Sequence, residues 1–175
     1  IDVAAPAWTL PLLDRMPEIT EKIALPFKHG QLGLIERIQF GRRLKNKHYS
    51  QSISLVNSLK SAILPFSAGI PKRTGFLGEM RYGLLNDIRP LDKAVLAKTV
   101  ERFVALGTNK DQPLPAIPQP TLLADSANAK VVLNKLGISL SSNKVLGLCP
   151  GAEYGEAKRW PATHYAEVAN AALKQ

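Results

Sequence analysis

Cysteine is almost missing from this 175-residue chain. Cys149 stands alone, so neither an internal disulfide nor a paired-cysteine zinc cluster can form, and a reducing compartment fits. Long apolar runs are missing too, none approaching the ~20 residues that a membrane span needs. The start, Ile1-Asp2-Val3, has no initiator Met and no basic-then-apolar leader. No signal peptide is therefore expected, and the chain reads as one entered in mid-domain. There is no GxGxxG, no Walker loop and no HExxH. His29, His48 and His164 are scattered without metal-ligand spacing, so surface or structural roles and no metal site are expected. No internal repeat or low-complexity tract is visible.

A hydrophobic fraction of 45% with 21% charged residues describes an ordinary globular protein. The length suits one domain or parts of two. The formal charge of +9 is unevenly spread. Lys28, Arg37, Arg42, Arg43, Lys45 and Lys47 face only Glu36 in the run from 28 to 47. Such a run reads equally as an anion-facing surface or as a solvated helix face. Only Phe40 is interleaved with it, which disfavours a nucleic-acid-binding domain.

Short β-like runs alternate with helical ones. Ile1–Ala5 predicts a strand closed by Pro6, and Ile23–Leu25 a second stopped by Pro26. Ser52–Val56 predicts a third strand and Arg73–Phe76 a fourth. Between them, Trp8–Leu13 suggests a short helix, Leu34–Lys47 an imperfect one interrupted by Gly41, and Leu59–Phe66 one capped by Asn57 or Ser58 and ended by Gly69. Asp92 is the expected cap of a helix running to Leu106. Pro113, Pro115, Pro118 and Pro120 make 111–120 an extended connector. Ser126–Leu136 reads as a helix ended by Gly137, and Val145–Cys149 as a fresh strand, with Cys149 in the core. This alternation predicts an α/β chain with a parallel, Rossmann-like sheet. The expected division is 1–138 and 139–175.

Three places can carry chemistry. In Cys149-Pro-Gly-Ala-Glu-Tyr-Gly-Glu-Ala-Lys-Arg-Trp-Pro161, Gly151 and Ala152 permit close approach to the backbone. Lys158 lies just before a helix start, where it can meet a phosphate or simply face solvent. Glu153 can bind a sugar hydroxyl or pair with Lys158 or Arg159, and Trp160 is expected to pack. The turn Asn57-Ser-Leu-Lys-Ser61 follows a strand and opens a helix, pointing Ser58 and its amides to the sheet's carboxyl edge. Lys60 there is near a possible anion site or is an ordinary exposed lysine. Lys72, Arg73 and Arg81 form a third basic group around Gly75 and Gly78.

The 149–161 stretch closely resembles the inter-domain motif of the ADP-heptose:lipopolysaccharide heptosyltransferases, glycosyltransferase family 9. Ala5-Pro-Ala-Trp8, 57–64, 68–75 and Gly78-Glu-Met-Arg-Tyr-Gly-Leu-Leu-Asn-Asp87 resemble the same family, in order, over nearly the whole chain. The resemblance implies a GT-B glycosyltransferase. Residues 1–138 would be an acceptor-side Rossmann-like domain lacking its first strand, and 139–175 the first βα unit of the donor-side domain. It implies transfer of L-glycero-D-manno-heptose from ADP-heptose to the heptose of the lipopolysaccharide inner core, on a phosphorylated heptosyl-Kdo2-lipid A acceptor. The place would be the cytoplasmic face of the inner membrane, held peripherally at its anionic surface, with no cofactor and no nucleic acid. Lys158, Gly151, Ala152 and Glu153 would bind the donor; Asn57, Ser58, Lys60, Arg73 and Arg81 would bind the acceptor. The family's general-base aspartate is expected upstream of Ile1, so these residues alone are expected to be inactive. Another heptosyltransferase acting at a different core position is the nearest alternative.

Overall fold

A computed structural model of the chain describes residues 1–27, 30–110, 112–139, 145–153 and 155–174. Lys28, His29 and Asp111, the first residue of the expected connector, thus lie outside the described residues. The chain divides by its internal contacts into two compact units, Ile1–Leu123 and Ala124–Gln175.

In the first unit β1 (Asp2–Pro6) pairs in parallel with β2 (Glu21–Leu25), Asp2 opposite Glu21 and Pro6 opposite Leu25. Pro6 ends β1, and a 3-10 turn leads into α1 (Leu10–Leu13), where Pro11 sits in the first turn and costs no helical hydrogen bond. A second sheet holds β3 (Gln51–Ser54), β4 (Lys72–Phe76) and β5 (Asp87–Arg89) in that order, all parallel. β3, α3 (Leu59–Ser67) and β4 form a βαβ unit. The α/β character with parallel strands agrees with the sequence. β3 is shorter than expected: Leu55 and Val56 leave the ladder and are 49% and 61% exposed. β5 had no local signal, because three residues with two charges show no apolar alternation.

The core lies between α3 and β4, where Ala62, Ile63, Ala68, Ile70, Phe76, Leu85 and Leu106 are buried. α2 (Leu34–Leu44) packs along α3 at Gly41. A Cβ on Gly41 would lie 2.6 Å from the Leu64 carbonyl oxygen and 2.8 Å from Ser67 Cβ. The glycine that interrupts the helical pattern is thus what lets the two helices approach. Gly69, at φ +68°, closes α3 as expected. Leu106, from α4 (Thr99–Gly107), is fully buried, which is worth about 1.5–3 kcal/mol. α4 starts later than expected. Asp92 caps only a preceding turn, through the amides of Ala94 and Val95, while the Glu101 carboxylate accepts from Lys98 N–H at the helix start.

In the second unit, Asp125 caps α5 (Ser126–Lys135) by accepting from Asn128 N–H at 2.9 Å, and Gly137 at φ +66° follows its end. Residues 145–153 carry no regular structure, against the expected strand at Val145–Cys149. A parallel strand needs a neighbour for its hydrogen bonds, and this unit holds no other strand among the described residues. Cys149 is accordingly exposed rather than in the core. A 3-10 turn at Glu156–Lys158 precedes α6 (Ala162–Leu173).

Candidate functional site

The carboxyl ends of β3 and β4 run into loops 55–58 and 77–82, which are locked together. Arg81 is the lock. It is fully buried, and its guanidinium donates to Val56 O at 2.7 Å, Ser61 Oγ at 3.1 Å, Asn57 Oδ1 at 3.3 Å and the Phe76 carbonyl. Burial lowers its pKa, and the nearby Glu79 charge opposes that shift. A Cβ on Gly78 would lie 2.6 Å from Asn57 O, so the loops approach to a distance only glycine allows. Glu79 and Met80 both have left-handed backbone, at φ +43° and +52°. Such conformations cost of order 1–3 kcal/mol each and persist where surrounding contacts hold them.

Ser58 is the N-cap residue of α3, yet its side chain makes no cap hydrogen bond. The Glu79 carboxylate does that work from twenty residues away, its Oε2 accepting from Leu59 N–H at 2.7 Å. No local pattern announces this, so sequence reasoning missed Glu79. Only the neighbouring Gly78 hinted at a tight loop. Ser58 Oγ is buried without a partner among the described residues. Lys60 Nζ has no hydrogen-bond or ion-pair partner among them either. Gly30, Leu32, Ser58, Leu59, Lys60 and Glu79 line an open cavity of about 270 Å³.

The acceptor-side expectations therefore divide. Asn57, Ser58 and Lys60 lie together at this edge. Arg81 lies beside them but faces inward, so it positions the loops, and its one unpartnered donor, Nε, is itself buried. Arg73 belongs to the other end of the sheet. It is the second residue of β4, donates to Leu84 O and Ile70 O at 2.6 Å each, and stacks over Phe66. It ties the 84–86 loop to the end of α3. Near it, Gln51, Thr74, Asp87 and Arg89 form a hydrogen-bonded chain across β3, β4 and β5. Arg89 is the main reason the Asp87 pKa is lowered, with Thr74 and Lys72 assisting against burial.

The basic run is partly consumed by the fold. Arg37 is buried, its guanidinium 4.1 Å over the Phe27 ring and donating to Leu32 O at 2.6 Å. Lys47 pairs with Glu21 at 2.7 Å. Arg42, Arg43 and Lys45 remain exposed.

In the second unit, Arg159 closes the motif by donating to Ala152 O at 3.1–3.3 Å. Gly155, at φ +80°, starts the 3-10 turn. Lys158 ends that turn, its N–H donating to Gly155 O at 3.1 Å and its exposed side chain without a hydrogen-bond or ion-pair partner among the described residues. Gly151 and Glu153 are also exposed, and Ala152 is half-buried. Trp160 packs on His164 and, edge-on at 5.0 Å, on Tyr165. The motif thus presents a small-residue loop and a free cation ahead of a helix.

The family described as glycosyltransferase family 9 (heptosyltransferase) matches residues 37–175. Lipopolysaccharide heptosyltransferase 2 of Escherichia coli K12 is 49% identical over 97% of this chain and 50% of its own length. Its counterpart in Salmonella typhimurium LT2 is 50% identical over 100% and 52%. The chain spans about half the length of these curated relatives. Among solved structures, that of E. coli ADP-heptose LPS heptosyltransferase II matches with a TM-score of 0.84 and 43% identity, covering 99% of this chain and 52% of that one. A family 9 glycosyl transferase from Veillonella parvula, at 17% identity and a TM-score of 0.76 over 98% of this chain and 49% of its own, shares the fold. The match over residues 37–175 and relatives of about half identity along nearly the whole chain show its family: the chain belongs to glycosyltransferase family 9, the heptosyltransferases.

Proposed function

We propose that the complete protein transfers L-glycero-D-manno-heptose from ADP-heptose to the heptose of the lipopolysaccharide inner core. Residues 1–138 serve the acceptor and 139–175 open the donor-side domain of a GT-B enzyme. The observation that carries this reading is Lys158, an unpartnered cation beside Gly151 and Ala152, within a chain half identical to heptosyltransferases.

The chemistry is displacement at the anomeric carbon. A carboxylate takes the proton of the acceptor hydroxyl as that oxygen attacks, and the nucleoside diphosphate leaves. Lys158 stabilises the charge gathering on the leaving phosphates, while Gly151 and Ala152 let those phosphates near the backbone. Glu153 accepts from a donor hydroxyl. The general base comes from the part of the relatives' length that this chain does not span, so residues 1–175 alone are expected to be inactive. Asn57, Ser58 and Lys60 bind the acceptor, with Arg81 and Arg73 shaping the unit that presents them.

Arg42, Arg43 and Lys45 hold the protein against the anionic cytoplasmic leaflet, each contributing about 1 kcal/mol close to the surface. The contact in this reading is peripheral, and no helix among the described residues is long and apolar enough to cross a membrane.

The test is Lys158→Ala in a chain completed to its relatives' full length. Turnover of ADP-heptose should fall about 10²-fold, the loss typical of one transition-state donor, with an unchanged unfolding temperature. Near-normal turnover would remove Lys158 from the mechanism.

A further inference from the structure

The cavity at the carboxyl edge of β3 and β4 combines features that an anion site would not have. Its helix N-terminus is already occupied, because Glu79 Oε2 accepts from Leu59 N–H at 2.7 Å. A phosphate entering here would meet a carboxylate where the amide should be. The other Glu79 oxygen, Oε1, has no hydrogen-bond partner among the described residues. Lys60 brings free ammonium donors to the same cavity, while the partnerless Ser58 Oγ is buried behind its wall. Leu32, Leu59 and Gly30 supply apolar and open walls. A charged acceptor and a charged donor over an apolar wall match a neutral polyol, whose hydroxyls both give and take hydrogen bonds. At about 270 Å³ the cavity is below the ~300–1,000 Å³ typical of drug-sized ligands and suits one sugar ring.

We propose that this cavity is a monosaccharide subsite in which Glu79 Oε1 accepts from ring hydroxyls of the acceptor heptose and Lys60 donates to them. The inference rests on the heptosyl-transfer reading for the identity of the sugar. Glu79 then has two tasks. One oxygen fixes the start of α3, and the other reads the substrate. The left-handed Glu79 and Met80, held by buried Arg81, place that carboxylate before any ligand arrives. Binding therefore requires little reordering.

The experiment uses the protein completed to its relatives' length and the methyl glycoside of L-glycero-D-manno-heptose as probe. Binding is followed by saturation-transfer NMR, with inorganic phosphate titrated separately. Glu79→Gln keeps a carbonyl for Leu59 N–H but loses the charge, and Lys60→Met removes an ammonium that holds no protein partner. Each should weaken sugar binding about 10-fold, with an unchanged unfolding temperature for Lys60→Met. Equal sugar binding in wild type and both variants overturns the proposal. So does phosphate binding that tightens in Glu79→Gln without any sugar binding, which would mark an anion site. Heptose transfer is measured on the same preparations. Transfer by wild type with sugar binding indifferent to both substitutions overturns this subsite and leaves the transfer reading standing. Sugar binding that depends on Glu79 and Lys60, without transfer, does the reverse.

Discussion

Arg81→Met separates a loop-fixing arginine from a ligand-binding one. The wild-type guanidinium is fully buried and satisfies the Val56 and Phe76 carbonyls together with Asn57 and Ser61. Methionine fills much of the volume but donates nothing. The abandoned Phe76 carbonyl costs about 1–3 kcal/mol, while Val56 O keeps Ser61 Oγ at 2.8 Å, so the lost bonds to it and to Asn57 Oδ1 add only about 0.5–1.5 kcal/mol each, roughly 2–6 kcal/mol in all. Removing a buried cation recovers part of its desolvation penalty. The balance is a net loss of about 2–4 kcal/mol. A chain of this size shifts by roughly 2–4 °C per kcal/mol, so the unfolding midpoint should fall by about 4–16 °C. Thermal unfolding followed by circular dichroism reads this directly. Arg81→Lys should lose stability as well, because an ammonium cannot span four acceptors with the guanidinium's planar fork. A midpoint within 1 °C of wild type, with acceptor binding alone impaired, would refute the positioning role and restore Arg81 as a contact residue.

Gly41→Ala sets two effects against each other. Alanine gains about 1 kcal/mol of helix propensity, but its Cβ meets the Leu64 carbonyl at 2.6 Å, which no side-chain rotation relieves. Overpacking costs about 1–3 kcal/mol and should win, lowering the urea midpoint, whereas a raised midpoint would show that the α2–α3 contact yields. Asp87→Asn should change the acid limb of stability. The folded carboxyl is held below the ordinary aspartate value, so its contribution is complete above about pH 4 and fades as pH falls through the lowered folded value. Wild type should therefore lose stability more steeply than the variant below about pH 4, and parallel urea-midpoint curves from pH 7 to pH 2 would sink this.

Elements whose signals are local were legible in the sequence. Pro6 stopping β1, Gly69 ending α3 and Gly137 following α5 each follow from backbone conformation set by one residue. The strand expected at Val145–Cys149 shows the limit of such signals. An apolar run specifies readiness to pair, but the ladder itself needs a partner strand. Charge patterning misled for a related reason. Arg37, Arg73 and Arg81 look in sequence like surface cations, yet each turns its guanidinium onto backbone carbonyls at loop ends. Which arginines remain free depends on contacts from 3 to 25 residues away, a range that periodicity does not sense. Lys158, in contrast, is placed ahead of α6 by a turn built locally from Gly155 onward.

The bond between Glu79 and the Leu59 amide also makes the site observable. An amide proton held by a carboxylate is shifted downfield. Any molecule that draws on the other carboxylate oxygen changes the electron density at that proton. The Leu59 amide signal is thus a built-in indicator of pocket occupancy, readable without labelling the sugar or completing the reaction.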